Sequence, residues 1–529
     1  MNKIAIYLNR HITGNVFDRD SILEAYSFDH SALKIKPRLV ALPESTSDVR
    51  KLVRFVNQLA VKNYNLPLAV RGSGLSKTGA DLSSGMVVSM EKMNKLRELD
   101  AHDRLVHVQS GVTLGQLNSV LAPHGLFLPI SADPRETIGS LIATAPVDSY
   151  SGKYGGIMNY IDRVEVVLSN GDILQTSRLS RGKLKAFKKK NSLEGDIYND
   201  LDSLLENSPD VLVNLKDSKS RSGYVGVKHI RRLNGRVFDL LPVFYGSEGT
   251  LGIITEVILR LDVLPARPHR LLAVFNSFRT ASEFLSYAKT LSPLELNFYD
   301  LNLVKSVEDY GKRPELLSKK FEDGFLVYVS FNDKSHVSRK KIRKCLNFLP
   351  KNAYVIPETL KNSDLFNDLP SMVTSYLNDT PKGERVPLAP DFYLPDEEVA
   401  NFLADLPALS AKLKKPLELS GSFSTGVYSL RPDFKLDTLE DRRAAMNFLK
   451  EINLLISAHK GFLNGGSPEG RVKAIVSNPA LSEKEKRFYR KVKEIFDPNK
   501  ILSPDSKTGT DTRSTVRALR STYNPYISL

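Results

Sequence analysis

Two glycine-rich segments carry the residue types best suited to chemistry in this 529-residue chain: Arg71-Gly-Ser-Gly-Leu-Ser76 and Tyr245-Gly-Ser-Glu-Gly-Thr-Leu-Gly-Ile-Ile-Thr255. Glycine admits positive φ and removes the side chain that would block a close approach. Successive backbone N–H groups can also form an anion-binding concavity. Two such segments, far apart in sequence and each beside an apolar run, suit one extended, phosphate-bearing ligand gripped by backbone from two sides. A third candidate stretch lies downstream, at Lys460-Gly-Phe-Leu-Asn-Gly-Gly-Ser-Pro-Glu-Gly-Arg-Val-Lys473. There Arg471 and Lys473 are suited to hold a carboxylate, because a guanidinium pairs with one bidentately; a surface or phosphate-facing role is the equal alternative. His459, just upstream, is either a base or a helix-end histidine beside the negative end of the helix dipole, and the second reading is preferred. Glu469 and Tyr428 are weaker acid–base candidates.

The elements that must position these residues are mixed α and β. Leu68-Ala-Val70 reads as a short buried strand leading into the first glycine loop. Ser45-Thr-Ser-Asp48 caps a helix, and Val49, Leu52, Val53, Val56 and Leu59 give it one buried stripe. A strand at Leu105–Val108 is followed by a turn at Gly111 and a helical stripe of Leu114, Leu117 and Leu121. Asn170-Gly171 closes a hairpin, since that pair accepts the positive φ of a tight primed turn. Residues 178–212 read as a helical, highly charged insertion. A second mixed domain carries strand-like runs at Leu271–Phe275, Phe325–Phe331 and Asp391–Leu394. A long helix follows over 437–457. Ser482-Glu-Lys-Glu485 caps another, which stops at Asp497-Pro498. From Lys507 the chain is polar and expected to be loose, except where Tyr523 and Tyr526 pack.

With 41% hydrophobic and 26% charged residues, a chain this long should split into two or more domains. No run approaches the roughly 18 apolar residues of a membrane span, and the N-terminus lacks a secretory pattern. The single cysteine, Cys345, excludes an internal disulfide and any multi-cysteine metal site. A cytoplasmic, reduced setting is expected. The net charge of +15, with basic clusters at Arg181–Lys190, Arg339–Lys344 and Lys484–Lys493, reads first as a solvated surface. Peripheral contact with an anionic inner membrane face is the second reading. No nucleic-acid partner is expected, because aromatic interleaving and zinc-finger or RNP patterns are absent.

The glycine segments and their order make a flavin-binding fold the leading expectation. The chain resembles the FAD-linked oxidases of the p-cresol methylhydroxylase (PCMH)/vanillyl-alcohol oxidase superfamily, in the D-lactate dehydrogenase and glycolate oxidase FAD-subunit branch. The resemblance runs from Tyr26-Ser-Phe-Asp29 and Pro43 to Phe496-Asp-Pro-Asn499 and Ile501-Leu502. It implies an α+β fold with a two-part PCMH-type FAD-binding domain over 1–262 (core 35–262). An inserted α/β substrate cap would span 263–436, with a C-terminal segment, 437–529, returning to the FAD domain. Noncovalent FAD is implied, contacted along the loop Arg71, Gly72, Ser73, Gly74, Leu75, Ser76 and Gly79, and at Gly111. The same resemblance assigns it Pro134, Thr137, Ile138, Gly139, Ala143 and Thr144, then Gly152 and Tyr154, and finally Glu248, Gly249 and Ile253. Leu75 replaces a frequent threonine, losing one hydroxyl donor, and excludes the histidyl attachment that some relatives make there. Ala145 and Asp148 stand where asparagine and glycine are usual, and Asp148 beside a diphosphate would repel it.

The family's base is a histidine in a Gly-Glu-His-Gly segment. Here the match falls on Gly466 and Ser467, and a serine is no base near neutral pH without an activating partner. Its metal-binding Gly-His-x-Gly-Asp-Gly-Asn-x-His segment matches Gly421–Ser429, so both ligands become serine, at Ser422 and Ser429. Serine hydroxyls are weak ligands for transition metals, and no metal is expected. Of nine histidines only His459 lies near these segments. The resemblance therefore implies an FAD-dependent oxidoreductase that oxidises a hydroxy-acid-like or other alcohol-bearing small molecule, anionic in character, by hydride transfer to flavin N5. Ser467, His459 and Arg471 are the catalytic candidates, and the electron acceptor, a carrier or quinone, is unidentified. The alternative is a non-catalytic or redirected flavin-binding scaffold or partner subunit.

Overall fold

The computed structural model describes residues 2–233, 235–311, 321, 323–358, 363–378 and 385–523. The N-terminal part is built on two sheets. The first runs in the order Asn15–Phe17, Leu39–Leu42, Met86–Ser89, Leu68–Arg71, with its last three strands parallel. The helix Thr46–Val61 covers it. Ser45 Oγ accepts from Asp48 N at 3.2 Å, and Val49, Leu52, Val53 and Val56 are fully buried. The second sheet is antiparallel, in the order Leu96–Asp100, Leu105–Gln109, Ile253–Arg260, Ile161–Val167, Ile173–Gln175. The helices Leu114–Leu121 and Ile138–Thr144 contribute to its core. The two glycine segments thus leave the ends of the strands Leu68–Arg71 and, on its N-terminal side, Ile253–Arg260.

The charged insertion is not wholly helical. Its first residues, Arg178–Ser180, pair antiparallel with Val237–Asp239, which also pairs with Arg231–Arg232. Three residues are too short a run for periodicity to separate from a helix start. Three helices follow, Arg181–Phe187, Leu193–Glu206 and Pro209–Asp217.

The cap holds a seven-stranded antiparallel sheet, ordered Tyr354–Val355, His269–Phe275, Phe325–Phe331, Glu295–Asp300, Ser420–Ser422, Val427–Leu430, Ala389–Tyr393. Successive strand residues point to opposite faces, so each strand serves two cores. Leu271, Ala273 and Phe275 join one; Leu272 and Val274 join the other, under the helices Leu301–Gly311 and Ser363–Asn378. The long helix Leu439–Ala458 places Phe448, Leu449, Ile452 and Ile456 in the first of these cores. The boundary read at 437 therefore assigned this helix to the wrong body. Its apolar stripe fits either partner, and only the tertiary contact distinguishes them.

The return to the N-terminal part begins after this helix. The helix Glu483–Phe496 packs Phe488, Tyr489, Val492 and Phe496 into the core of the second sheet. Leu502 then bridges Leu68 in parallel. The segment from Lys507 is not loose, contrary to expectation. Lys507 is fully buried, Thr512–Arg517 is helical, Leu519 bridges Leu33, and Tyr523 Oη donates to His30 O at 3.0 Å. Tyr526 lies outside the described residues. Among the described residues no helix is long and apolar enough to cross a membrane.

Candidate active site

A cavity of about 890 Å3 runs between the N-terminal part and the cap, at the upper end of the roughly 300–1,000 Å3 typical of cofactor and ligand sites. One wall is the loop following the strand Leu68–Arg71. Among the described residues, no protein group accepts a hydrogen bond from the backbone N–H of Ser73, Gly74, Leu75, Ser76 or Lys77. Buried or semi-buried N–H groups are rarely left without partners, so this run is a cradle with its donors free. Gly74, at φ +73°, closes the turn over the Arg71 guanidinium, and Gly72 lies against Thr137 Oγ1, where a Cβ would collide. Ser73 Oγ donates to Arg135 O, tying the loop to the segment 131–137. Thr137, Gly139, Ala143, Thr144, Ser247, Glu248 and Gly249 also line the cavity. Free donors, glycine clearance and a cavity of this volume fit the diphosphate-bearing FAD.

The residues expected to contact FAD divide accordingly. Gly72, Ser73, Gly74, Leu75, Ser76, Pro134, Thr137, Gly139, Ala143, Thr144, Glu248 and Gly249 line the cavity, and so does Ser467. Arg71, Gly79, Gly111, Ile138 and Ile253 do not. Arg71 turns beneath the loop, where Nη1 donates to Phe28 O at 2.6 Å and lies 3.9 Å from Asp81. Gly111 packs where a Cβ would press on Met90 O, and Ile138 and Ile253 are core residues. These five support the cavity wall from behind. Gly152 and Tyr154 lie at the seam with the cap: Asn332 Nδ2 donates to Tyr154 Oη at 2.9 Å.

The catalytic candidates separate in the same way. His459 caps the C-terminal end of the long helix, with Nε2 3.0 Å from Asp405 Oδ2 and Nδ1 3.4 Å from Glu398 Oε2, and it lines no part of the cavity. Arg471 is buried, donating to the carbonyls of Gly79, Leu82 and Asp505. It pins three chain segments together. Ser467 does face the cavity. Its Oγ accepts from Lys473 Nζ at 3.2 Å, and the same ammonium, fully buried, donates to Asp391 Oδ1 at 2.5 Å. Ser422 and Ser429 lie on one face of the hairpin Ser420–Ser422/Val427–Leu430 and off the cavity. Among the described residues no group of three His, Cys, Asp or Glu side chains is placed to hold a metal ion.

Sequence reasoning overlooked a set of ionisable groups around Ser467. Val147 N donates to Gly466 O at 2.8 Å, which sets Asp148 beside the Ser467 loop. Burial raises Asp148 to about 6, although Tyr150 N donates to its Oδ1 at 2.8 Å. Its Oδ2 has no partner among the described residues. Burial also lowers Arg221 to about 10, with Asp391 and Asp148 opposing the shift. On the cap side Arg270 donates through Nε to Tyr328 Oη at 2.8 Å and through Nη1 to Asn367 Oδ1 at 2.9 Å, leaving Nη2 without a partner among the described residues. Glu295 accepts from Ser330 Oγ at 3.1 Å, and burial raises its pKa. Asp148 alone left a trace in the sequence, as a departure from the family pattern; Arg270 and Glu295 come from cap strands and Arg221 from a loop of the N-terminal part, none of them in a local motif.

Glu248 has a second role. It sits at φ +51° and accepts from Gly470 N at 3.0 Å, while Lys507 Nζ lies 3.3 Å from it and 3.1 Å from Glu469. Glu469 in turn accepts from Gly223 N at 2.7 Å. Burial raises Glu248 despite the ammonium. This buried carboxylate–ammonium–carboxylate group locks the second glycine segment to the C-terminal tail.

A two-sheet flavin domain with a cap closed over its ligand groove defines the PCMH-type fold. The structure of 4-ethylphenol oxidase from Gulosibacter chungangensis superposes with a TM-score of 0.66 at 16% identity, covering 93% of this chain and 94% of that one. Residues 37–177 match the FAD binding domain, and residues 264–506 match the C-terminal domain of FAD linked oxidases. The chain thus carries both an FAD binding domain and the C-terminal domain of FAD linked oxidases. It is 25% identical to D-2-hydroxyglutarate dehydrogenase of Haemophilus influenzae over 94% of this chain and 50% of that protein. It is 24% identical to glycolate oxidase subunit GlcD of Bacillus subtilis over 94% of both, and equally to D-lactate dehydrogenase of Anaerostipes hadrus over 92% of this chain and 93% of that protein. The chain spans about half the length of the D-2-hydroxyglutarate dehydrogenases it matches.

Proposed function

We propose that this chain is an FAD-dependent oxidoreductase that oxidises a small anionic 2-hydroxy acid, with its proton acceptor moved from the family position to Asp148. One observation carries the reading: a single cavity joins a loop of free backbone donors to a cluster of Asp148, Asp391, Ser467 and Arg270 under the cap. When bound, FAD supplies the acceptor for two electrons as a hydride. The chain's own groups must then hold the substrate, exclude water and take the hydroxyl proton.

Arg270 Nη2 is free to meet a carboxylate from the cap side, where guanidinium geometry suits it. Ser467 cannot act as base, because its Oγ already accepts from the Lys473 ammonium. Its own O–H is thereby left to donate to a substrate oxygen. Asp391 is tied to that ammonium. Asp148 has no cationic hydrogen-bond partner, and a carboxylate near pH 6 is close to the value that suits general-base catalysis under neutral conditions. Noncovalent attachment of FAD follows from Leu75 at the position of histidyl linkage. Reoxidation by a separate carrier or quinone belongs to the same reading, as does contact of the basic surface with an anionic membrane face.

The replacement of three family histidines by Ser467, Ser422 and Ser429 favours a second reading, a flavin-binding scaffold without turnover. Anaerobic titration of the FAD-loaded protein with D-lactate, glycolate, D-2-hydroxyglutarate and related acids separates the two. Bleaching of the visible flavin band by at least one of them is the expected result. A loaded protein that no 2-hydroxy acid bleaches removes the enzyme reading and leaves the scaffold.

A further inference from the structure

The glycine loop of this chain ends in a lysine that nothing described so far employs. Lys77 lines the cavity and is half-buried, and its Nζ lies within hydrogen-bond or ion-pair distance of no described residue. It closes the same run, Ser73 to Lys77, whose backbone N–H groups donate to no described acceptor. Across the cavity wall, Glu136 also lines the space, and its carboxylate has no described partner either. The two segments touch through Ser73 Oγ and Arg135 O and through Gly72 and Thr137. An unpaired ammonium at the end of an unpaired donor run marks the place where a ligand's negative charge belongs. The same loop has lost a hydroxyl donor at Leu75, so a compensating contact is expected nearby.

We propose that Lys77 is the cation that holds the diphosphate of FAD in this chain, and that Glu136 opposes it and sets the pH range over which the site fills. The inference rests on the flavoprotein reading and adds to it two residues and a proton linkage. The groups facing Lys77 come from several elements: Glu136 and Asp133 from the segment 131–137, Asp391 from the strand Ala389–Tyr393, and Arg431 just after the strand Val427–Leu430. Glu136 faces Lys77, Asp133 and Asp148. His30, from the N-terminal segment, lines the same cavity and is lowered to about 4 by burial and by Lys77, so it stays neutral in the working range. Burial places Glu136 at about 7 and Lys77 at about 8. Below pH 7 Glu136 is neutral and does not repel a diphosphate. As pH rises it ionises, and higher still Lys77 loses its proton; both changes weaken anion binding. FAD affinity should therefore fall as pH rises through this range.

The test is titration of apo-protein with FAD, followed by flavin fluorescence, and with ADP, followed by calorimetry, since ADP carries the same diphosphate. Lys77→Met should weaken both about tenfold or more, the size expected for loss of a charge-assisted contact, and should flatten the salt dependence. Lys77→Arg should restore most of the affinity, which a packing defect would not allow. Between about pH 7 and 8, before Lys77 has lost its proton, Glu136→Gln should bind FAD more tightly than the wild type at the same pH. Circular dichroism and melting curves confirm that each variant is folded. If Lys77→Met matches the wild type in affinity and salt slope, or Glu136→Gln leaves the pH dependence intact, the inference fails while the flavoprotein reading stands. If the wild type takes up neither FAD nor ADP, both fail together.

Discussion

At the scale of single residues, burial sorts the carboxylates of this cavity into different tasks. Asp391 is ion-paired with Lys473, whereas burial raises Asp148 to about 6, the property that the proposed proton acceptor requires. Asp148→Asn should lower kcat on any accepted hydroxy acid by about 10²–10⁴-fold, the span of general acid–base contributions. The base must be ionised, so wild-type kcat/KM should rise with pH through about 6 and then level; in the variant that limb should vanish. An acid whose folded pKa is raised above its unfolded value stabilises the fold below that range and destabilises it above. The variant should therefore melt higher than the wild type at neutral pH, a combination of lost activity and gained stability that a folding defect would not produce. Lys507 gives the opposite case. Removing it with Lys507→Met leaves Glu248 and Glu469 buried together without a cation, and breaking a buried pair typically costs about 3–5 kcal/mol. Denaturant unfolding at neutral pH should report that loss. It should shrink on acidification, because the raised pKa of Glu248 lets it become neutral early.

At the scale of elements, the glycine loop works because Arg71 sits beneath it. The guanidinium is held by Phe28 O and by Asp81, so it cannot retreat from a side chain placed above it. Gly74→Ala adds a Cβ against that group at φ +73°, a conformation that costs an L-residue about 1–2 kcal/mol by itself. The expected result is a loop that reopens: weaker FAD uptake in an apo-protein whose circular dichroism is unchanged. Much of this architecture was legible. The strand Leu68–Arg71, the helix Thr46–Val61 and the hairpin around Asn170-Gly171 announce themselves through local spacing; the residues proposed to contact FAD came instead from the family resemblance, and twelve of them line the cavity. What escaped has a common cause. Lys507, Arg520 and Tyr523 hold the C-terminal tail through buried charges, carbonyl acceptors and isolated bridges. Such contacts have no periodicity, so a polar stretch that docks reads like one that does not. Arg71 and Arg471 were misread in the complementary way: their side-chain chemistry suits an anion, but both are committed to backbone carbonyls inside the fold.

At the scale of the whole molecule, the cavity exists only while the cap stays seated, and three consecutive residues of the N-terminal part hold it there. Gly152 lies against the cap's turn at Ser424, Lys153 Nζ donates to Asn332 Oδ1 at 2.7 Å and Asp333 Oδ1 at 2.9 Å, and Tyr154 Oη accepts from Asn332. A Cβ at position 152 would fall 2.8 Å from Ser424 Cβ, closer than real Cβ atoms come. Ser424 is in the tight turn joining two strands of the cap sheet, with Gly426 N donating to Ser422 O at 2.9 Å, so it has little freedom to give way. Gly152→Val must therefore move the cap outward. The FAD loop and its donors lie on the other body and are untouched, so the variant should still fill with FAD. The proposed substrate end, where Arg270 of the cap faces the same cavity as Asp148, should widen and admit water. Iodide should quench the bound flavin's fluorescence more strongly than in the wild type, and KM should rise more than kcat falls, because substrate orientation is lost before chemistry. Gly152→Ala should show the same trend to a smaller extent. Unchanged quenching at full FAD occupancy would mean that the seam yields locally, and that the cap's position is set by the Lys153–Asp333 and Ser149–Glu295 contacts instead of by the fit at Gly152.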